Sequence, residues 1–253
     1  MSHLLSTVAI VAGGALVAAV CVILKHRFFP LKADEEPSDD VAEYISMMIG
    51  VIYALVLGLA LVSVWDTHSN AESDISTEAG ALHQVYLLSD ALPPAGQQEI
   101  RTTVDAYAHQ VTAVEWPRMA KHESLGPAGW QMLDKLRDTY ETAPAANATS
   151  AQQNAGQEAI SQLSTLDQAR RGRASDARSS LSDVLWAGMF VGGILTLAFM
   201  FVFGVQRSGS HLVMAMVLGG FMVFLILLIQ QLNQPFSGVF AVGKSDFTSY
   251  FPV

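Results

Sequence analysis

The chain has 253 residues, of which 51% are hydrophobic and 15% charged, and it carries a net charge of −9. Surplus negative charge repels phosphate, which excludes nucleic acid as a partner and disfavours docking onto anionic headgroups by charge. The single cysteine, Cys21, excludes an intrachain disulfide and reads as a small buried hydrophobe.

Four apolar runs dominate the pattern: Thr7–Leu24, Ile45–Trp65, Val184–Val205 and Leu212–Ile229, none containing Asp, Glu, Lys or Arg. Each is about 18 to 22 residues long, which as helix matches the hydrocarbon thickness of a bilayer. Backbone groups in lipid must pair within their own segment, so the runs are expected as four membrane helices in a 2+2 arrangement. No Lys or Arg precedes the first run, while Lys25 and Arg27 follow it, as in a retained span rather than a cleaved leader.

The first pair, residues 1–65, includes a polar loop at 25–43 with three basic and six acidic residues. After Trp65 no breaker appears until Leu92-Pro93-Pro94, so the second helix is expected to leave the membrane unbroken. Ile100, Val104, Tyr107, Val111 and Val114 mark another amphipathic helix, ending near Trp116-Pro117. Gly126-Pro127 opens a third, with Trp130, Leu133, Leu136 and Tyr140 on one face, and Ala143–Ser150 is a linker. The next helix carries Ile160, Leu163, Leu166, Arg170, Ala174 and Leu181 and has no breaker before the third membrane run, so it too is expected to continue unbroken. Residues 66–183 thus read as a soluble four-helix bundle, 184–232 as the second membrane pair and 233–253 as a tail. The fold class is all-α, with Ile75, Leu82, Tyr86, Ile100, Val104, Tyr107, Val111, Ile160, Leu163 and Leu166 as the expected soluble core.

Chemistry-bearing patterns are scarce. His68 and Glu72 share a helical face without a second ligand pair, and there is no nucleophile motif or Cys/His cluster. No metal, cofactor or enzymatic activity is expected. Intramembrane carboxylates, which ion-coupled carriers use, are also missing, whereas a channel can gate through an apolar constriction. Small residues Gly50, Ala54 and Gly58 mark a stripe where another helix could approach closely. Ser46, Gly50, Tyr53, Leu57 and Val64 are expected to line a pore on one face of the second helix. Asp66, Asn70, Ser73 and Thr77 are expected to carry that face into a water-filled vestibule.

Just after the fourth run the chain reads Gln231-Leu232-Asn233-Gln234-Pro235-Phe236-Ser237-Gly238. This turn resembles that of the bestrophins, pentameric anion channels. The closer resemblance is to a largely bacterial group of bestrophin-like four-pass membrane proteins, through Gly50-Val51-Ile52-Tyr53, Glu78-Ala79 and Arg170, Arg171 and Arg173. It implies a homo-oligomer, a pentamer, in the plasma membrane (the inner membrane in a bacterium), conducting inorganic ions and with the bundle on the cytoplasmic side. Loop charges are equally divided and do not decide sidedness. Two departures stand out: Asn233 occupies a position that is usually acidic in the group, and Ser237–Gly243 carries no carboxylate, so calcium gating is not implied. The alternative is a membrane-held sensory or scaffolding bundle that acts through a partner protein.

Overall fold

The computed structural model describes residues 9–14, 16–17, 20, 23, 40–143, 148–203 and 209–251. Eight of the 18 residues of the first apolar run, Cys21 among them, most of loop 25–43, residues 144–147 of the linker and residues 206–208 of the turn Gln206–His211 lie outside them. Every element among the described residues is helical, with no strand. They are α1 (Asp40–Leu88), α2 (Pro94–His109), α3 (Ala128–Thr142), α4 (Ser150–Asp176), α5 (Asp183–Phe203), α6 (Gly209–Leu232) and α7 (Ser245–Tyr250). Among the described residues, two stretches are long and apolar enough to cross a membrane, Tyr44–Ala91 and Leu212–Leu232; Asp183–Phe199 is a shorter apolar helix.

Local chemistry accounts for the ends. A 3₁₀ turn at Ser89–Ala91 closes α1 ahead of the two prolines, and Pro94 then opens α2, where its missing N–H costs no hydrogen bond. Thr149 and Gln152 form a reciprocal capping box at the start of α4, with Thr149 N–H donating to Gln152 Oε1 at 2.9 Å.

Two expected boundaries are corrected. The second soluble helix does not stop at Trp116-Pro117. It widens into a π turn, Gln110–Glu115, and continues as a short α turn, Trp116–Met119. The π turn shifts the hydrogen-bond ladder, so Pro117 falls within a first turn, where proline is tolerated. Nor does α4 run into α5: the chain leaves the helix at Ala177 and re-enters it at Asp183. That break is satisfied from elsewhere. His122, in the left-handed region at φ 57°, sets Nδ1 3.3 Å from the Ala177 carbonyl oxygen, while the Leu181 N–H donates to Asn233 Oδ1 at 2.8 Å.

The chain divides into two compact units, one made of residues 1–65 and 180–233, the other of 66–179 and 234–253. In the first, Tyr53, Leu57, Ala60 and Val64 of α1 pack with Met189 of α5 and with Met222, Ile229 and Leu232 of α6. Tyr53 lies flat in a notch made by Gly192 and Gly193; a Cβ at Gly193 would stand 2.9 Å from its hydroxyl. The stripe Gly50, Ala54, Gly58 is not used in this way, since nothing approaches either glycine within 4 Å and Ala54 is exposed. In the second unit, Ile75, Leu82, Ile100, Val104, Tyr107, Val111, Leu163 and Leu166 are buried, with Tyr86 and Ile160 half-buried at the edge. Each large side chain in such a core contributes about 1.5–3 kcal/mol. The tail joins this core through Phe236, Val242, Phe247 and Phe251.

Candidate functional site

Helix α1 has two faces, each continuous along its length. Tyr53, Leu57, Ala60, Val64, Ala71, Ile75, Glu78 and Leu82 are buried, at steps that keep to one side of a 3.6-residue turn. Asp66, Asn70, Ser73 and Thr77 are exposed on the opposite side. The single face expected to join the two sets is therefore corrected: Asp66 follows Val64 by two residues, a half-turn round the helix. Ser46 and Gly50 are half-buried at the edge of the inward face. The apolar residues that do continue the polar stripe are Met48, Ile52, Leu55, Leu59 and Val62, all more than half exposed.

Inside the second unit the inward face of α1 delivers a carboxylate, Glu78, into a buried ionic network. Arg173 of α4 clamps it, with Nε donating to Glu78 Oε2 at 2.5 Å and Nη2 to Oε1 at 2.8 Å. Arg170 makes the equivalent fork on Glu115, at 2.9 and 2.6 Å, and Arg173 Nη2 also donates to Glu115 Oε2 at 2.9 Å. Tyr107 ties the pairs together: its hydroxyl donates to Glu78 Oε1 at 2.6 Å and accepts from Arg170 Nη1 at 3.1 Å. The Trp130 ring covers the Arg170 guanidinium at 4.7 Å. All four charged side chains are fully buried, and two guanidinium groups balance two carboxylates. Planar forks suit this arrangement because each satisfies both oxygens of a carboxylate at once. Burial, followed by the neighbouring Glu78 charge, pushes the Tyr107 phenol well above its usual range, so it stays a neutral donor. Burial alone would lower Arg173, but the Glu78 carboxylate outweighs it and holds the guanidinium charged.

The π turn explains how Glu115 arrives there. Tyr107, Val111, Glu115 and Met119 recur every four residues and would drift round an α-helix. The wider π turn returns all four to one buried face.

Beyond α6, Asn233 accepts the Leu181 N–H, a task that needs only a side-chain oxygen and that an aspartate would perform equally well. Pro235 and Gly238 frame a turn in which Gly238 takes φ 88° and the Val242 N–H donates to the Pro235 carbonyl at 2.7 Å. Phe236 is buried edge-on against Trp116, 5.9 Å between ring centres.

A family model described as the Bestrophin-like domain matches residues 12–247, a span that holds the whole network and the whole turn. The chain belongs to the bestrophin-like family. No curated protein matches it. Of the motifs that carry the bestrophin-like resemblance, Glu78, Arg170 and Arg173 are thus partners in one network. Arg171, beside them, is exposed and pairs with Asp167 at 2.9 Å. Gly50-Val51-Ile52 faces no such partner, and Tyr53 fills the glycine notch with its hydroxyl buried and unbonded. His68, which shares a helical face with Glu72, instead bonds the Phe240 carbonyl, and the described residues contain no group of three or more metal-ligating side chains.

Two residues of the network were not singled out from sequence, Tyr107 as a polar group and Glu115. The signal was present: Glu78 lies in phase between Ile75 and Leu82, and Arg170 follows Leu163 and Leu166 on the apolar stripe of α4. Charges of both signs in the buried phase imply that they meet.

A second acidic group lies at the end of α4. Asp176 is the last residue of that helix, and one of its carboxylate oxygens is buried without a hydrogen bond. Asp74 packs against Gly172, one turn earlier on the same helix, and His122 reaches the Ala177 carbonyl beside it. Burial, then the Asp74 charge, pushes Asp176 up to about 6; burial, then Glu78, raises Asp74, with Arg173 opposing. The folded form therefore binds this proton more tightly than the unfolded chain. Its contribution favours folding at low pH and is lost as pH rises from the ordinary carboxylate value through about 6. Asp176→Asn is expected to flatten that part of the pH dependence and to stabilise the protein at pH 7.5 but not at pH 4.5. Denaturant midpoints measured at both values test this; equal shifts at the two would refute it.

Proposed function

We propose that this bestrophin-like chain is a subunit of an oligomeric ion channel, with a pore along the exposed stripe of α1. The stripe is the observation that carries the reading. It runs through Met48, Ile52, Leu55, Leu59 and Val62 and then, on the same side, through Asp66, Asn70, Ser73 and Thr77. Copies arranged about an axis, five by family resemblance, would close an apolar constriction that opens into a polar vestibule. The constriction excludes ions because stripping their water is costly there, and a ring of Asp66 carboxylates at its mouth favours cations over anions. The four-pass layout, the plasma membrane and a cytoplasmic bundle belong to the same proposal. A sensory or scaffolding role needs the same helices but no conduction path.

Leu59→Ser is the test, in purified protein reconstituted into liposomes. Wetting the constriction is expected to raise flux at least several-fold, while Leu195→Ser, on an exposed position of α5, leaves it unchanged. Equal effects from the two, or none from either, would remove α1 from any conduction path and favour the sensory reading.

A further inference from the structure

The loop after α6 has a built shape and an exposed apolar crest. Its feet, Phe236 and Val242, are buried, and the Val242–Pro235 backbone hydrogen bond closes it. Gly238, in the left-handed region, turns the chain outward, leaving Val239 and Phe240 at 52% and 48% exposure. No residue from Pro235 to Gly243 is charged.

The height of this crest is fixed at two points. His68 Nε2 stands 2.6 Å from the Phe240 carbonyl oxygen. His68 is the third residue after Trp65, where the charge-free run of α1 ends, so it lies about 4.5 Å further along the helix axis. The loop itself starts three residues after Leu232, the last residue of α6. Both attachments therefore fall within one helical turn of the end of an apolar helix. In a bilayer that level is the boundary between headgroups and acyl chains, where apolar and aromatic side chains gain burial while the backbone stays hydrated.

We propose that residues 235–243 form a membrane-surface anchor, seating Val239 and Phe240 in the headgroup–acyl boundary of the bilayer that the same chain crosses. The anchor works by apolar burial, so it takes neutral lipid as well as anionic lipid and is insensitive to salt. That separates it from a basic patch, whose attraction is screened. It requires α1 and α6 to span the membrane and is independent of ion conduction.

The experiment uses the full chain in phosphatidylcholine vesicles, with a fluorescent label on Phe240→Cys in a Cys21→Ser background. Val239→Cys is read in parallel, and Ser249→Cys, exposed on α7, is the reference. The His68 contact is to backbone, so either loop substitution preserves it. Lipids spin-labelled at the headgroup or high on the acyl chain are expected to quench positions 239 and 240 several-fold more than 249, and aqueous iodide to do the reverse. The ranking should survive high salt. Iodide quenching of the loop labels equal to that at 249 would overturn the anchor. So would shielding from both iodide and spin-labelled lipid, which would mean that a second copy of the chain covers the crest.

Discussion

Replacing Arg173 with methionine is expected to destabilise the bundle by about 3–5 kcal/mol, the cost of breaking a buried pair and stranding its partner. Methionine fills much of the same volume, so the loss comes from charge rather than from a cavity. Glu78 would lose both donors of its fork, and two buried carboxylates would face Arg170 alone. Total stabilities of about 5–15 kcal/mol make this a large fraction of the whole. Arg173→Lys should fall in between, since an ammonium keeps the charge but cannot reproduce the fork. The double variant Glu78→Gln with Arg173→Met should recover part of the loss, because it removes the stranded charge. Equilibrium denaturation of the purified protein gives all three values. A loss below about 1 kcal/mol for Arg173→Met, the range of exposed pairs, would mean that water enters the network.

Gly129→Ala is expected to cost about 1–3 kcal/mol, as overpacking does. A methyl group there would occupy the space of the Arg170 guanidinium. The end of a long side chain normally swings aside, but this one is held by both oxygens of Glu115, by Tyr107 and beneath Trp130. The control is Gly156→Ala on α4, where nothing lies within 4 Å. There the same change should stabilise by about 0.4–1 kcal/mol, because a helical glycine is being replaced by a better helix former. Opposite signs from one chemical change would locate the effect in the network; equal signs would show that Arg170 moves freely.

Outside the apolar runs, the fold was largely legible. Pro93-Pro94 ends α1 because proline lacks the donor the ladder needs, and Ile75, Leu82, Ile100, Val104 and Leu163 are buried as their spacing requires. Within the runs, every side of a helix is apolar, so periodicity loses its phase. Leu57 and Tyr53 were therefore assigned to the pore side, although counting back from Ile75 in helical turns through Ala71, Val64 and Ala60 places both on the core side. The break between α4 and α5 could not be read locally. No proline or glycine marks residues 177–182, and their free backbone groups are satisfied by His122 and Asn233, both more than fifty residues away. Glu115 was missed for a similar reason, since only the π turn keeps its four-residue spacing on the buried face.

The sequence separations within the ionic network set an order of events during biosynthesis. Glu78 precedes Arg173 by 95 residues and Glu115 precedes it by 58, so the ribosome makes both acids before either base. At about 5–20 residues per second, Glu78 waits roughly 5–20 s for its partner. Throughout that interval two carboxylates in the interior phase of their helices must remain hydrated, which keeps α1 and α2 from closing on each other prematurely. Emergence of α4 then neutralises both acids together. Completion of this network is thereby timed to the synthesis of its last long helix, and a nascent chain halted before Arg170 would hold both acids without either cation.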